Sequence, residues 1–240
     1  MEVCPSKAIK IVDSVPTILR DECKLSGDCV RVCQTKAREI AGKVATAAEV
    51  MAELEKDIVF YDESDGGVTF SGGEPLMQPL FLLGLLRLCN ERGIRTAVET
   101  CGFTTSETLL GISSHVGLFL YDVKVMDSDL HRKFTGSSNE IILRNLRELD
   151  KVHNHIIVRF PLVPGVNDDE SNLGRLGEFV SSLRNVREID VLPYHELGAE
   201  KYVRLGMVNR MAKVEVPSPS RLDETVKKLE GFGLAIKVGG

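Results

Sequence analysis

The sequence lacks the features of several protein classes. No apolar run approaches the roughly 20 residues that cross a bilayer, and the first residues, MEVCPSKAIK, lack a signal-peptide pattern. Positive charge is not in excess, since 30 basic and 35 acidic side chains give a net charge of −5. These absences predict a cytoplasmic protein whose main partner is neither a membrane nor a nucleic acid.

Size and composition fit one globular domain, or one domain with a small appendage. The chain has 240 residues, of which 43% are hydrophobic and 27% are charged, so it is long enough to bury a sizeable core. No low-complexity linker interrupts it.

From about residue 57 onward, apolar runs rich in β-formers alternate with segments of helical periodicity. Each intervening segment has apolar residues at helical spacing. This alternation predicts parallel βαβ units, and so a barrel or a doubly wound sheet. The predicted strands are DIVFY (57–61) with GGVTF (66–70), IRTAVET (94–100), VGLFLYDVKV (116–125), HIIVRFPLV (155–163), VREIDVLPY (186–194) and LAIKVGG (234–240).

The first 42 residues differ from the rest and carry most of the cysteines. Two short β-like pieces, AIKIV and PTILR, lie between Cys4 and the cysteine-bearing stretch that begins at Cys23. In a cytosolic chain, clustered cysteines indicate metal binding more than disulfides. We therefore predict a small module at 1–42 and an α/β domain at 43–240. The candidate metal ligands are Cys4, Cys23, Cys29 and Cys33.

The spacing of these cysteines resembles a two-cluster bacterial ferredoxin, in which a half-site reads C-x2-C-x2-C-x3-C-P. Cys23, Ser26, Cys29 and Cys33 occupy the four positions, so serine replaces the second thiol. Cys4 with Pro5 matches the end of an earlier half-site.

Crossed ligation would give one iron-sulfur cluster the thiols of Cys4, Cys23 and Cys29, with Ser26 or a substitute as the fourth ligand, and would assign Cys33 to a second cluster. Two alternatives stay open: an empty remnant, or a zinc ion. Cys89 and Cys101 are interpreted as small buried or half-buried packing residues.

The stretch VTFSGGEPLMQ (68–78) follows a predicted strand. Gly72 and Gly73 permit positive φ angles, and Pro75 suits the first turn of a helix. Glu74 is then either a carboxylate at a helix start or a group offered to a ligand at the carboxyl end of a strand.

GGVTFSGGEPLMQ is followed in order by AVETCG, YDVKVMD with HRKFTG, VRFPLVPGVND and LPYHELGAEKY. Together these motifs resemble the radical S-adenosylmethionine (SAM) activating enzymes of glycyl radical enzymes. The resemblance covers 57–240 and implies a partial TIM-type (β/α) barrel of parallel strands lacking its first strand, with a small N-terminal ferredoxin-like module. It also implies SAM and a [4Fe-4S] cluster as cofactors.

The resemblance assigns a role to each motif. It implies that Gly72, Gly73 and Glu74 hold the amino group of SAM, and that Glu99 and Thr100 lie near its carboxylate, where a solvated strand end is the alternative. Asp122 and Lys124 would line the cofactor pocket, although such a pair can also be a plain surface ion pair. Arg159 would lie at the rim of the site and His195 next to the cofactor. For Asn167 and Asp168, helix capping is the preferred interpretation.

The implied function is that of an oxidoreductase that cleaves SAM reductively. The 5′-deoxyadenosyl radical then takes a hydrogen from a glycine of a large partner, the glycyl radical enzyme. The implied electron donor is a protein such as flavodoxin or ferredoxin.

The C-x3-C-x2-C triad that holds the cluster in this family does not occur in the sequence. The nearest match, Cys29-x3-Cys33-x2-Lys36, has lysine in the third position, and a protonated lysine is a poor iron ligand. No catalytic residue is therefore assigned. One hypothesis is that the chain is the carboxyl-terminal part of an activase whose first strand and triad lie upstream, so that it is inactive alone. The alternative is a non-catalytic protein that binds SAM or the partner.

Overall fold

The computed structural model describes residues 2–196, 202, 204, 205, 207 and 214–239. They form two compact units: 2–46 with 202, 204, 205 and 207, and 47–196 with 214–239. The second half of the LPYHELGAEKY motif lies largely outside the described residues. No helix among the described residues is long and apolar enough to cross a membrane.

The first unit is built on a short antiparallel hairpin. Strands β1 (Ile9–Val12) and β2 (Val15–Ile18) pair with Ile9 opposite Ile18. Asp13 and Ser14 both have positive φ angles, of 47° and 65°, as a two-residue turn with the twist of a hairpin requires. Both β-like pieces expected in this module are thus confirmed. A single helical turn, α1 (Asp28–Arg31), follows.

The second unit is a six-stranded parallel sheet covered by helices. Its strands follow one another in space in chain order, from β3 to β8, and helices occupy the crossovers, as the α/β alternation predicted. The elements are α2 (Ala47–Leu54), α3 (Ile58–Ser64), β3 (Gly67–Phe70), α4 (Pro79–Glu91), β4 (Arg95–Thr100), α5 (Ser106–Ser113), β5 (Leu118–Asp122), α6 (Ser128–Thr135), α7 (Glu140–Asp150), β6 (Ile156–Leu162), α8 (Glu170–Ser181), β7 (Glu188–Pro193), α9 (Pro219–Glu230) and β8 (Ala235–Val238).

The two faces of the sheet differ in composition because side chains alternate along each strand. One face is apolar and fully buried in the main core, with residues such as Val98, Phe119, Val158 and Ile189. The opposite face is only partly buried and carries charged side chains. Six sequential parallel strands with helices on one face form the partial (β/α) barrel that the resemblance implied.

The segment 57–61 does not have the secondary structure that the sequence predicted. DIVFY was predicted to be a strand, but Ile58–Ser64 is a helix, and the strand begins only at Gly67. Ile58 and Tyr61, three residues apart, pack against the core cluster of Met51 and Cys89, while Val59 and Phe60 are exposed. Burial at helical spacing therefore outweighs the β propensity of these side chains.

Charged residues of neighbouring strands face one another on the partly buried face. Asp122 pairs in register with Arg159, Arg159 with Asp190, and Asp190 with Lys237. Asp190 is only 6% exposed, and its Oδ1 has no hydrogen-bond partner among the described residues. Burial, and then the charge of Glu188, raises the pKa of Asp190, while Lys237 and Arg159 oppose the shift.

We predict that Asp190→Asn stabilises the protein at neutral pH by on the order of 1 kcal/mol. The pKa of Asp190 is higher in the folded than in the unfolded chain. Ionisation of Asp190 therefore lowers the free energy of unfolding as the pH rises from its unfolded pKa through its folded pKa. The gain should shrink in acid, where the wild-type carboxyl is protonated. Urea unfolding at several pH values measures it.

The matched control is Asp129→Asn, whose carboxylate is exposed on α6 and should leave the free energy of unfolding nearly unchanged. A loss of stability in Asp190→Asn at neutral pH would mean that attraction to Arg159 and Lys237 outweighs the cost of burial.

Candidate active site

The loop after β3 lies at the carboxyl edge of the sheet and exposes backbone that no side chain covers. Gly72 has a φ of 126°, in a region that side chains rarely adopt, whereas Gly73 does not have a positive φ. A side-chain carbon added at Gly72 or at Gly73 would meet no atom within 4 Å, so a ligand can approach the backbone here. Pro75 begins a 3-10 turn, Pro75–Met77, that leads into α4.

Glu74 caps that turn and also reaches the end of β4. Its Oε1 accepts hydrogen bonds from the Leu76 N–H at 3.2 Å and the Thr100 hydroxyl at 2.6 Å. Its Oε2 accepts from the N–H of Cys101 at 2.9 Å and from the thiol of the same residue at 3.0 Å. The two interpretations of Glu74 from sequence are therefore not exclusive, since the carboxylate both caps a helix and lies at the carboxyl edge of the sheet.

The end of β4 is shaped around this carboxylate. Thr100 is buried, and its hydroxyl also accepts the N–H of Gly102 at 2.9 Å. Gly102 has a φ of 67°, and a side chain there would overlap the ring of Tyr121, so glycine is required. Burial, and then the contact with Glu74, raises the pKa of the Cys101 thiol to about 11. Cys101 is thus a neutral donor, a role that its interpretation as a packing residue did not include.

Glu99 forms the centre of a second contact group. Its carboxylate accepts from the Ser71 hydroxyl at 2.6 Å and pairs with Arg159 at 2.7 Å. Arg159 keeps its Nε without a partner among the described residues. The loop after β3 and strands β4 and β6 thus meet through side chains, and Ser71 is a member of the site that the sequence analysis missed.

Asp122 and Lys124 lie at and just beyond the end of β5. Their charged groups are 3.6 Å apart, and Asp122 Oδ1 is buried without a hydrogen-bond partner among the described residues. Burial raises the pKa of Asp122, an effect that Lys124 and then Arg159 partly offset. A buried, unsatisfied oxygen distinguishes this pair from a plain surface ion pair.

His195 lies two residues beyond the end of β7, and its side chain is exposed. It therefore lies at the same edge of the sheet as the other predicted residues. The assignments of all nine residues to a cofactor stay predictions: Gly72, Gly73, Glu74, Glu99, Thr100, Asp122, Lys124, Arg159 and His195.

Buried asparagine amides hold the loops around the site. Asn145, on α7, donates to the carbonyls of Gly102 and Thr104 after β4. Asn167 donates to the carbonyls of Lys124 and Pro161 and accepts from the N–H of Val163. Each of these two amides thus fixes the backbone at a strand end. In the sequence, the only sign of this role is position: Asn167 follows a predicted strand, and Asn145 lies between two predicted strands.

The capping role expected for Asn167 and Asp168 is wrong. Asp169 caps α8 by accepting the Asn172 N–H. Asp168 instead accepts from the Gly165 N–H and pairs with Arg221. The side chains of Asn167 and Asp168 are already engaged, because they accept the N–H groups of Val163 and Gly165 in the loop before the helix. The cap therefore falls one residue later than predicted.

The cysteine module contains a separate cavity of about 490 Å³ within the first unit. Cys4, Cys23, Cys29 and Ser26 line it, and Cys33 does not. Basic side chains outnumber acidic ones in its wall, a balance that suits an anionic occupant. Among the described residues, no three His, Cys, Asp or Glu side chains are placed to share a single metal ion.

Comparisons with known proteins place this geometry in a family. The family model of the radical SAM superfamily matches residues 31–176. The trans-4-hydroxy-L-proline dehydratase activating enzyme of Clostridioides difficile is 37% identical over 243 residues, which cover all of this chain and 80% of that protein. The pyruvate formate-lyase-activating enzyme of Staphylococcus epidermidis is 37% identical over 76% of this chain and 74% of its own length.

Solved structures have the same fold. A domain of a pyruvate-formate lyase-activating enzyme from Bacteroides vulgatus superposes with a TM-score of 0.62 and 36% identity, covering 73% of this chain and 99% of that chain. Streptococcus suis SuiB bound to SAM superposes with a TM-score of 0.63 and 17% identity, covering 85% of this chain and 45% of that chain. The chain belongs to the radical SAM superfamily and, within it, to the activating enzymes of glycyl radical enzymes.

Proposed function

We propose that the carboxyl edge of the sheet binds SAM for the activation of a glycyl radical enzyme. The observation that carries this proposal is the convergence of the Gly72–Glu74 loop, the Glu99–Arg159 pair and the Asp122–Lys124 pair at one edge, in a chain of this family. The family reaction is the reductive cleavage of SAM to a 5′-deoxyadenosyl radical, which takes a hydrogen from a glycine of the partner.

The charges at this edge are complementary to the amino acid end of SAM. Glu74 and Asp122 supply negative charge for an ammonium group, and Arg159 and Lys124 supply positive charge for a carboxylate. Asp122 Oδ1 and Arg159 Nε have no partner in the described part of the chain, and they support a polar ligand because a buried polar atom left without a partner is costly. The open space at Gly72 and Gly73 leaves room for the ligand against the backbone.

The residues of this chain do not provide the thiolates of the radical SAM cluster. A bound [4Fe-4S] cluster supplies the electron for cleavage in this family, but no C-x3-C-x2-C motif occurs in the 240 residues. We propose that its ligands come from outside these residues and that the chain alone does not cleave SAM. The same absence favours a second candidate, a non-catalytic protein that binds SAM or the partner.

We further infer that the cavity in the first unit holds one iron-sulfur cluster. Its thiols are Cys4, Cys23 and Cys29, and Ser26, which takes the second ligand position of the ferredoxin pattern, also lines the cavity. Cys33 lies outside this group, as crossed ligation would require. The cationic wall suits an anionic cluster.

The partner and the cellular setting follow from the same proposal. The partner is a glycyl radical enzyme, as the activating enzymes among the relatives indicate. A low-potential protein such as flavodoxin or ferredoxin would supply the electron, and the location would be the cytoplasm.

We predict that Glu74→Gln weakens SAM binding by about tenfold or more, because a charge-assisted hydrogen bond contributes about 1.5–3 kcal/mol. Isothermal titration calorimetry of the 240-residue chain measures the dissociation constant. The matched control is Glu148→Gln on α7, whose carboxylate pairs with Lys151 at the surface and should change the affinity less than about twofold. Equal effects of the two variants would contradict the assignment of the site.

We predict that the 240-residue chain, reconstituted with iron and sulfide without oxygen and given a reductant, yields no 5′-deoxyadenosine while it still binds SAM. Chromatography of the reaction mixture measures the product. Product formation by this chain alone would overturn the proposal that further cysteines are needed. Product that forms only with a polypeptide carrying the triad would favour the activase over the non-catalytic candidate.

We predict that the same reconstitution produces the broad visible absorption of an iron-sulfur cluster. Cys23→Ala and Cys29→Ala should lose most of the bound iron, because their thiols line the cavity. Cys33→Ala is the matched control and should retain it. Loss of iron in all three variants would place Cys33 among the ligands, and no bound iron in the wild type would favour an empty remnant.

A further inference from the structure

The carboxylate of Glu74 has its acceptor positions filled by donors of the chain itself. A carboxylate offers about four lone-pair sites, and Glu74 receives four hydrogen bonds, two on each oxygen. An ammonium group can therefore reach Glu74 only by taking the place of one donor. Which donor can leave is set by the geometry of the four.

Three of the four donors are fixed. Two are the backbone N–H groups of Leu76 and Cys101, which cannot rotate without moving the chain. The third is the Thr100 hydroxyl, which is buried and is also held by the N–H of Gly102. Each of these contacts is part of the turn or the strand end itself.

The fourth donor, the Cys101 thiol, is different. Its S–H is a weak donor on a side chain that rotates about a single bond, and the residue is only partly buried. Its high pKa keeps it protonated at neutral pH, so it carries no charge that would attract a cation.

We propose that Cys101 is a positioning residue whose thiol occupies the ammonium site of Glu74 and is displaced when a cationic amine binds. The proposal rests on the proposed function, because SAM supplies the amine. The thiol satisfies the partly buried carboxylate in the free protein and yields to a stronger, charged donor. Displacing the thiol breaks one weak hydrogen bond to Glu74, and this cost lowers the affinity of the protein for SAM.

The exchange predicts an unusual order of affinities at position 101. Cys101→Ala leaves Oε2 with one donor fewer, so SAM should bind about three- to tenfold more tightly, as expected for one neutral hydrogen bond. Cys101→Ser introduces a stronger competing donor, so SAM should bind more weakly than to the wild type. A purely structural cysteine predicts the reverse order, with serine near the wild type and alanine weaker.

Calorimetry of the full chain with SAM and with 5′-methylthioadenosine tests this order. The second ligand lacks the amino acid end, so its affinity should be the same in wild type, Cys101→Ala and Cys101→Ser. Tighter binding of SAM to Cys101→Ala, with unchanged binding of 5′-methylthioadenosine, supports the exchange. The reverse order, or the same change for both ligands, overturns it.

A ligand-free measurement separates failure of the Glu74–Cys101 contact from failure of the proposed function. Glu74→Gln removes the negative charge beside the thiol, so the pKa of Cys101 should fall and its alkylation at alkaline pH should become about threefold faster or more. Peptide mass spectrometry reads each thiol separately. Cys89, which is buried against Met51 and away from Glu74, is the internal control.

Unchanged alkylation of Cys101 in Glu74→Gln would overturn the contact itself. Faster alkylation, with no SAM bound by the wild type or any variant, would leave the contact in place but overturn both the exchange and the proposed function. Circular dichroism spectra of the three variants that match the wild type exclude misfolding as the cause.

Discussion

The site depends on the parallel, sequential pairing of β3 to β8. Parallel strands all end at one edge of a sheet, so the loops after β3, β4, β5 and β6 meet without any long connection. Register then decides which side chains are neighbours: Asp122 lies beside Arg159, and Arg159 beside Asp190. Glu74 and Cys101 are 27 residues apart in the chain and meet only because β3 and β4 are adjacent.

At the carboxyl edge of the sheet, neutral amides and charged side chains make different kinds of contact. The amides of Asn145 and Asn167 satisfy backbone carbonyls at strand ends, which fixes the loops without adding charge. Charged side chains are left to face the partly buried side of the sheet. Asp122 and Arg159 each retain an atom without a partner among the described residues. Such atoms cost stability in the free protein and offer hydrogen bonds to a polar ligand.

Local patterns in the sequence were sufficient to predict most of the strands and helices of the second unit. The α/β alternation predicted five of the parallel strands and the helices between them, and GGVTF marked the sixth. DIVFY failed because its β propensity was opposed by packing at helical spacing, with Ile58 and Tyr61 on the core. The motifs also identified a family whose membership the comparisons established, since each motif is a short run that stays recognisable without its neighbours.

The order of strands and helices, the family, and the set of polar residues that follow the strands could all be read from the amino-acid sequence. The contacts that those residues make became visible only in the folded chain. Three of the four donors to Glu74, and the Ser71 donor to Glu99, come from a separate segment of the chain. Cys4, Cys23 and Cys29 line one cavity that Cys33 does not line. Periodicity fixes which way a side chain points along its own strand, whereas contact across strands requires the register and the loop geometry that only the folded chain supplies.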